Sequence, residues 1–263
     1  MKRFLNDIVK YNSYAVYSAK SELKAEVASS YLNWIWWILE PVCFMLIYTF
    51  IFGYVFKVGE MYFPVFVYVG LTIWDFFNKN VKVSVRMVKK NKGIISKVYI
   101  PKFVLIETKM MVHGFKMLIS SFIIVILMIG YHVPVTWNIL YIFPLIIILV
   151  IFNYGIMCIL LHYGVYVTDL SNVVNILLRL VFYLTGIFYS IETRVGKNYP
   201  EIAELLEKWN PIAFIISSAR KCILYGERPS GRFMLLWFII GLMISVIGTR
   251  IIYKNENSYV KVI

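Results

Sequence analysis

The chain has 263 residues, 60% of them hydrophobic and only 16% charged, with a mean hydropathy of +0.74. That apolar content lies well above an ordinary soluble domain and marks an integral membrane protein. A net charge of +13 does not point to nucleic acid, because the basic residues gather at the ends of apolar runs, where they meet anionic lipid headgroups, rather than on one polar face.

Residues 1–23 carry Lys2, Arg3, Lys10 and Lys20 around Leu5, Ile8, Val16, Ala19 and Leu23, a near-helical spacing that predicts an amphipathic helix lying in the membrane interface, the alternative being a frayed polar tail. The segment lacks the compact apolar core and small-residue cleavage site of a secretory signal, so it is expected to stay in the mature protein. Residues 1–33 therefore read as a cytosolic interface helix, and 34–263 as one transmembrane domain.

Six apolar runs follow, at 34–56, 63–81, 112–130, 139–163, 173–190 and 233–253. Each approaches the roughly 20 residues that cross a bilayer, with some shortening and tilt. The expected fold is all-α with about six transmembrane helices. An even number returns both termini to one side, and Arg250 at the end of the last run with Lys254 and Lys261 after it put that side in the cytosol, where short loops rich in Lys and Arg remain.

Between the second and third runs, segment 86–103 holds Arg86, Lys89, Lys90, Lys92, Lys97 and Lys102 without one acidic residue. This basic hinge is expected in the cytosol, as the docking surface for a cytosolic partner. Segment 191–232, between the last two runs, is the one long outer connection. Pro200 and Glu201 open a short helix that Asn210-Pro211 stops, because proline offers no amide proton and disfavours helix in the residue before it. A second helix, 212–224, ends at Gly226. Being too short to span, the pair reads as a re-entrant hairpin dipping back towards the bilayer.

Candidate chemistry is sparse. Cys43, Cys158, Cys222, His113, His132 and His162 are isolated, so neither a metal site nor a disulfide framework is indicated. Asp75 and Asp169 have no companion carboxylate or histidine at helical spacing, and no Gly-rich phosphate loop ends in Lys-Ser or Lys-Thr, which leaves neither an enzyme site nor an ATPase motif in the chain. Arg179 falls inside the apolar run 173–190, where a bare guanidinium is costly. It either faces a water-filled path or phosphate-bearing substrate, or snorkels to the interface or pairs with Asp169 or Asp75. Glu40-Pro41 marks a kink in the first run. Trp34, Trp36, Trp37, Trp74, Phe76, Phe77, Phe182, Tyr183, Phe188 and Tyr189 offer ring faces to a sugar path, or serve as interface and packing residues.

Several motifs recur together in one family. The stretch Ser21-Glu22-Leu23-Lys24-Ala25 leads to Leu39-Glu40-Pro41 and Tyr48-Thr49-Phe50-Ile51-Phe52-Gly53. Gly70-Leu71, Trp74 and Phe76-Phe77 precede Asn91, Ile94-Ile95 and Lys97-Val98-Tyr99-Ile100-Pro101. Val133-Pro134, the turn at 166–169, Gly186-Ile187-Phe188-Tyr189, Asn210-Pro211 with Arg220 ten positions on, and a terminal Tyr259-Val260-Lys261-Val262-Ile263 complete the order. Over nearly its whole length the chain resembles the membrane subunit of ABC-2 type polysaccharide exporters, which move O-antigen, capsule or teichoic acid chains across bacterial cytoplasmic membranes. Thr168, Gly186, Ser190 and Ser217 depart from the family pattern around the outer gate.

The resemblance implies a homodimeric permease in the bacterial cytoplasmic (inner) membrane, exporting a lipid-linked glycan with two copies of a separate cytosolic ABC ATPase. No cofactor is then expected in this chain, ATP and Mg2+ belonging to the partner. Asn91, Ile94, Ile95, Lys97, Val98, Tyr99 and Pro101 would form the coupling element that sits in the ATPase. A conduit at the dimer interface would use Arg179 near the cytosolic entrance and Phe188 and Tyr189 near the outer mouth, with Asn210, Pro211 and Arg220 in an outer gate. Competing readings are an ABC-2 exporter of drugs or small lipids, and a membrane enzyme or scaffold of envelope assembly that works without ATP.

Overall fold

The structure, a computed structural model, describes residues 2–28 and 31–262; Met1, Ser29, Ser30 and Ile263 lie outside them. All regular structure among the described residues is helical. The helices are α1 (Lys2–Ala28), α2 (Trp36–Tyr48, continued by a π-helical turn Thr49–Val55), α3 (Phe63–Val85), α4 (Met87–Lys90), α5 (Lys92–Ile95), α6 (Lys102–Gly130), α7 (Ile142–Tyr166), α8 (Leu170–Leu184), α9 (Ile191–Arg194), α10 (Pro200–Lys208), α11 (Pro211–Leu224) and α12 (Gly231–Val262).

Among the described residues, four helical segments are long and apolar enough to cross a membrane: Trp36–Val55, Lys102–Gly130, Trp137–Tyr166 and Gly231–Tyr259. The chain is thus a multi-pass helical membrane protein. The second and fifth apolar runs form helices too, but of a different kind. α8 has only 15 residues, because the run 173–190 breaks after Leu184 into the turn that carries Gly186. α3 has 23 residues, about 34 Å at 1.5 Å per residue, yet it carries Asp75, Lys79 and Lys82. Its polarity has a packing explanation. α2, α6, α7, α8 and α11 surround it, and Val65, Phe66, Val67, Tyr68, Val69 and Phe76 are almost wholly buried. A helix sheathed by protein need not be apolar on every face.

α7 and α12 pack most extensively, through small residues that let the backbones approach. A Cβ at Gly155 would stand 2.7 Å from the Ser245 amide nitrogen, and one at Gly248 would stand 2.6 Å from the Cys158 Cβ. The Ser245 hydroxyl donates to the Ile151 carbonyl at 2.7 Å, stitching the same interface. α1 is not a free tail: Phe4, Ile8, Tyr11, Tyr14 and Ala15 pack on Ile100, Phe103, Val104 and Tyr253. Ion pairs Glu22–Lys109 and Glu26–Lys116 hold α1 along α6.

Replacing Gly155 by Leu is expected to destabilise the protein by at least about 1–3 kcal/mol, the usual cost of overpacking. Gly130→Leu, where nothing lies within 4 Å of an added Cβ, should be nearly neutral. Thermal unfolding of the two purified variants in detergent checks the contrast.

Candidate functional site

The two ends of α3 lead to the two regions singled out in the sequence. At its C-terminal end the chain turns through α4 and α5, two single turns joined at Asn91, whose side-chain amide donates to the Met87 carbonyl at 2.8 Å. Within 91–99, where the resemblance implies the coupling element, the helical part is the single turn Lys92–Ile95. The side chains of this segment divide. Ile95 is buried in a cluster with Met87, Leu105, Met157, Leu161 and Ile252, whereas Ile94 and Val98 are 47% and 58% exposed and Lys97 is exposed. Pro101 is buried and opens α6.

Tyr99 is tied to both ends of the chain. Its hydroxyl donates to Glu256 Oε2 at 2.9 Å and accepts from the Arg3 guanidinium at 2.7 Å, while Arg3 also pairs with Glu256 Oε1 at 2.7 Å. Burial, then the hydrogen bond to Glu256, push the Tyr99 phenol up to about 12. Sequence reasoning missed this cluster, since Arg3 and Glu256 stand at opposite ends of the chain and each looks like an ordinary terminal charge.

At the other end of α3, Arg220 of α11 is 4% exposed and has no carboxylate partner among the described residues. Its Nε donates to the Phe66 carbonyl at 3.0 Å, and its terminal nitrogens to the carbonyls of Gly186 at 2.8 Å and Ile187 at 2.6 Å. The guanidinium lies 3.4 Å from the centroid of the Phe66 ring. Gly70 makes room for it, because a Cβ there would stand 2.5 Å from an Arg220 nitrogen. Asn210 caps α11 by accepting from the Ile212 and Ala213 amides, with Pro211 as first helical residue. Lys221 lies 3.0 Å from Glu192 and 3.4 Å from Glu207. Burial works against that cation, but the two carboxylates outweigh it and its pKa is raised.

Along the flank, Arg179 sits on the exposed face of α8 with Ile176, Leu180 and Tyr183, and among the described residues it has no ion-pair partner. Asp75 pairs instead with Lys79 at 2.9 Å. Phe188 is 4% exposed, stacked on Phe52 with ring centroids 4.7 Å apart and packed on Tyr48 and Phe182. Tyr189 is half-buried and donates to the Tyr183 carbonyl at 2.9 Å. Among the described residues no group of His, Cys, Asp or Glu side chains could hold a metal ion.

No family model matches the chain. Curated proteins do. It is 28% identical to the O-antigen export system permease protein RfbA of Klebsiella pneumoniae, over 97% of this chain and 98% of that one. It is 26% identical to the RfbA of Myxococcus xanthus, over 87% and 86%, and 25% identical to the polysialic acid transport protein KpsM of Escherichia coli, over 86% and 88%. The chain is a homologue of ABC-2 type polysaccharide permeases. These relatives agree with the resemblance read from the motifs, and each is named for export or transport.

Gly70 and Arg220 form a steric pair, and a double-mutant cycle tests it. Gly70→Ala is expected to cost at least about 1–3 kcal/mol by overpacking. Most of that cost should vanish in an Arg220→Ala background, which is itself destabilised by the stranded carbonyls. Additive losses in thermal unfolding would deny the contact.

Proposed function

We propose that the protein is the permease subunit of an ATP-driven exporter that moves a lipid-linked polysaccharide, of the O-antigen, capsule or teichoic acid class, across the bacterial cytoplasmic membrane. The observation that carries the reading is the near full-length relationship to permeases of O-antigen and polysialic acid systems. Two copies of the chain assemble with two copies of a cytosolic ABC ATPase, which holds the ATP and Mg2+. α3 and α8 join the four long apolar helices to give six crossings. Both termini and the hinge face the cytosol, α1 borders the inner leaflet, and α10–α11 form the outer re-entrant hairpin. The 34 Å length of α3, close to the hydrocarbon thickness of about 30 Å, supports its crossing despite its charges.

The hinge works by a division of labour within residues 91–101. Ile95 and Pro101 hold it to its own chain, Tyr99 ties it to Arg3 and Glu256, and Ile94, Lys97 and Val98 face the ATPase. A partner can bias the permease only through contacts that differ between its states, and an outward pair of apolar side chains beside a lysine supplies them. The conduit runs along the exposed faces of α2 and α8 at the two-fold interface. Phe44, Phe50 and Tyr54 are 46%, 63% and 75% exposed on α2 and its π-helical continuation, and Arg179 and Tyr183 are exposed on α8. Phe188 braces that wall from behind, and Tyr189 stands near its outer mouth. A polymer passes such a path only if each sugar is held weakly, which ring faces achieve.

Two measurements test the reading. Cysteines introduced at Lys89 and Lys97 are expected to react with an impermeant thiol reagent only after permeabilisation; ready labelling in intact cells would contradict the topology. Ile94→Asp with Lys97→Glu should lower surface polysaccharide at least about tenfold while leaving the amount of folded permease unchanged. Ile95→Ala should instead cost about 2–5 kcal/mol of stability, as for other buried aliphatic truncations. Normal export by the Ile94/Lys97 variant, with normal ATPase association, would overturn the coupling assignment.

A further inference from the structure

A cavity of about 360 Å³ opens among the start of α3, the α8–α9 turn, α9 and α11, at the end of the molecule away from the hinge. That volume is within the range of small-ligand pockets, which begin near 300 Å³. Its walls carry three carboxylates, Glu60, Glu192 and Glu227, and two cations, Arg220 and Lys221. A simple anion would meet the carboxylates. An organic cation would meet Arg220 and Lys221. No three acidic side chains converge closely enough for a metal ion among the described residues.

A hydroxyl group differs from all of these, because one atom both donates and accepts. Mixed walls of acceptors and donors therefore suit a ring that carries several hydroxyls. The donors are supplied from an uncommon source. A guanidinium has five N–H groups, and Arg220 spends three hydrogen bonds on the carbonyls of Phe66, Gly186 and Ile187, leaving two without a partner among the described residues on a side chain that is 4% exposed and borders the cavity. Burying a donor unpaired is unfavourable, so those groups point to a ligand or water with oxygen to offer. Glu60 is an acceptor held in place by the Thr193 hydroxyl at 2.8 Å. The rings of Tyr189 and Tyr225 also line the space, and ring faces pack against the C–H side of a pyranose.

We propose that this cavity is a saccharide subsite, one within each protomer, that binds a single uncharged sugar ring. The inference rests on reading the chain as a polysaccharide permease, and adds to the conduit between protomers a side pocket that holds one sugar of the passing chain near the exit.

The test is saturation-transfer NMR on the full-length permease in lipid nanodiscs, with the ATPase that co-purifies. Glucose, galactose, mannose and N-acetylglucosamine serve as neutral probes, glucuronate and putrescine as charged ones. At least one neutral sugar is expected to receive saturation, and Glu60→Gln and Tyr225→Ala should each weaken it at least about tenfold. Glu227→Gln, on the loop beyond α11, gives the same readout should either variant fail to fold, and Lys24→Gln on α1 should change nothing. Absence of transfer to every neutral sugar, transfer to glucuronate or putrescine alone, or transfer undiminished in the folded pocket variants overturns the subsite. Surface polysaccharide is measured separately in cells lacking the permease. Unchanged surface polysaccharide there counts against the export reading, whereas export that needs the permease together with no sugar binding overturns the subsite alone.

Discussion

A guanidinium buried without a carboxylate is costly, and this fold meets the cost by converging main-chain carbonyls on Arg220. The carbonyls come from two separate places, the first turn of α3 and the turn after α8. One side chain therefore fixes three elements, because α11 brings the charge and the other two bring the acceptors. Hydrogen bonds to a charged group contribute about 1.5–3 kcal/mol each, more than neutral ones. The consequences extend outward. The Gly186–Ile187 turn held by Arg220 sets the position of Phe188, which stacks on Phe52 and so holds the π-helical end of α2. Asn210 and Pro211 start α11 at the register that delivers Arg220, and Gly70 leaves the space that the guanidinium fills.

α3 connects this anchored end with the hinge. Its first turns lie against Arg220, and Val85 at its far end lies against Gly164 of α7, so closely that a Cβ at Gly164 would overlap the Val85 carbonyl oxygen. α4 follows directly, with Met87 and Val88 buried in the same cluster as Ile95. In the exporter reading, a displacement of the hinge thus reaches the gate end along a single buried helix. The Arg3–Tyr99–Glu256 cluster adds a second connection, joining the hinge to α1 and α12. The first connection packs mainly through apolar side chains and is anchored at one end by a buried guanidinium, whereas the second consists of three polar side chains.

Much of this was legible in the residues. Pro200, Asn210-Pro211 and Gly226 marked α10 and α11 to within a residue or two, because proline and a capping asparagine act locally and need no tertiary context. The long apolar runs at 112–130, 139–163 and 233–253 coincide with α6, α7 and its 3-10 lead-in, and α12, though α6 begins ten residues earlier, where buried Phe103, Val104 and Ile106 extend it. Other features were hidden for physical reasons. Hydropathy cannot tell that α3 is sheathed by protein, nor that the run 173–190 breaks at Gly186. Ile94 and Ile95 are the same residue type, and only packing separates the outward side chain from the anchored one. Arg220 was noted through the family resemblance, but main-chain carbonyls leave no sequence signature, so its partners were not legible at all.

The measurement that tests the account most directly is native mass analysis of the complex, extracted gently from its own membrane, with identification of every bound subunit and lipid. The account predicts two copies of this chain, two copies of a nucleotide-binding subunit and a co-purifying lipid-linked glycan. Recovery of this chain with no nucleotide-binding subunit and no glycan-bearing lipid, from membranes actively making surface polysaccharide, would contradict it.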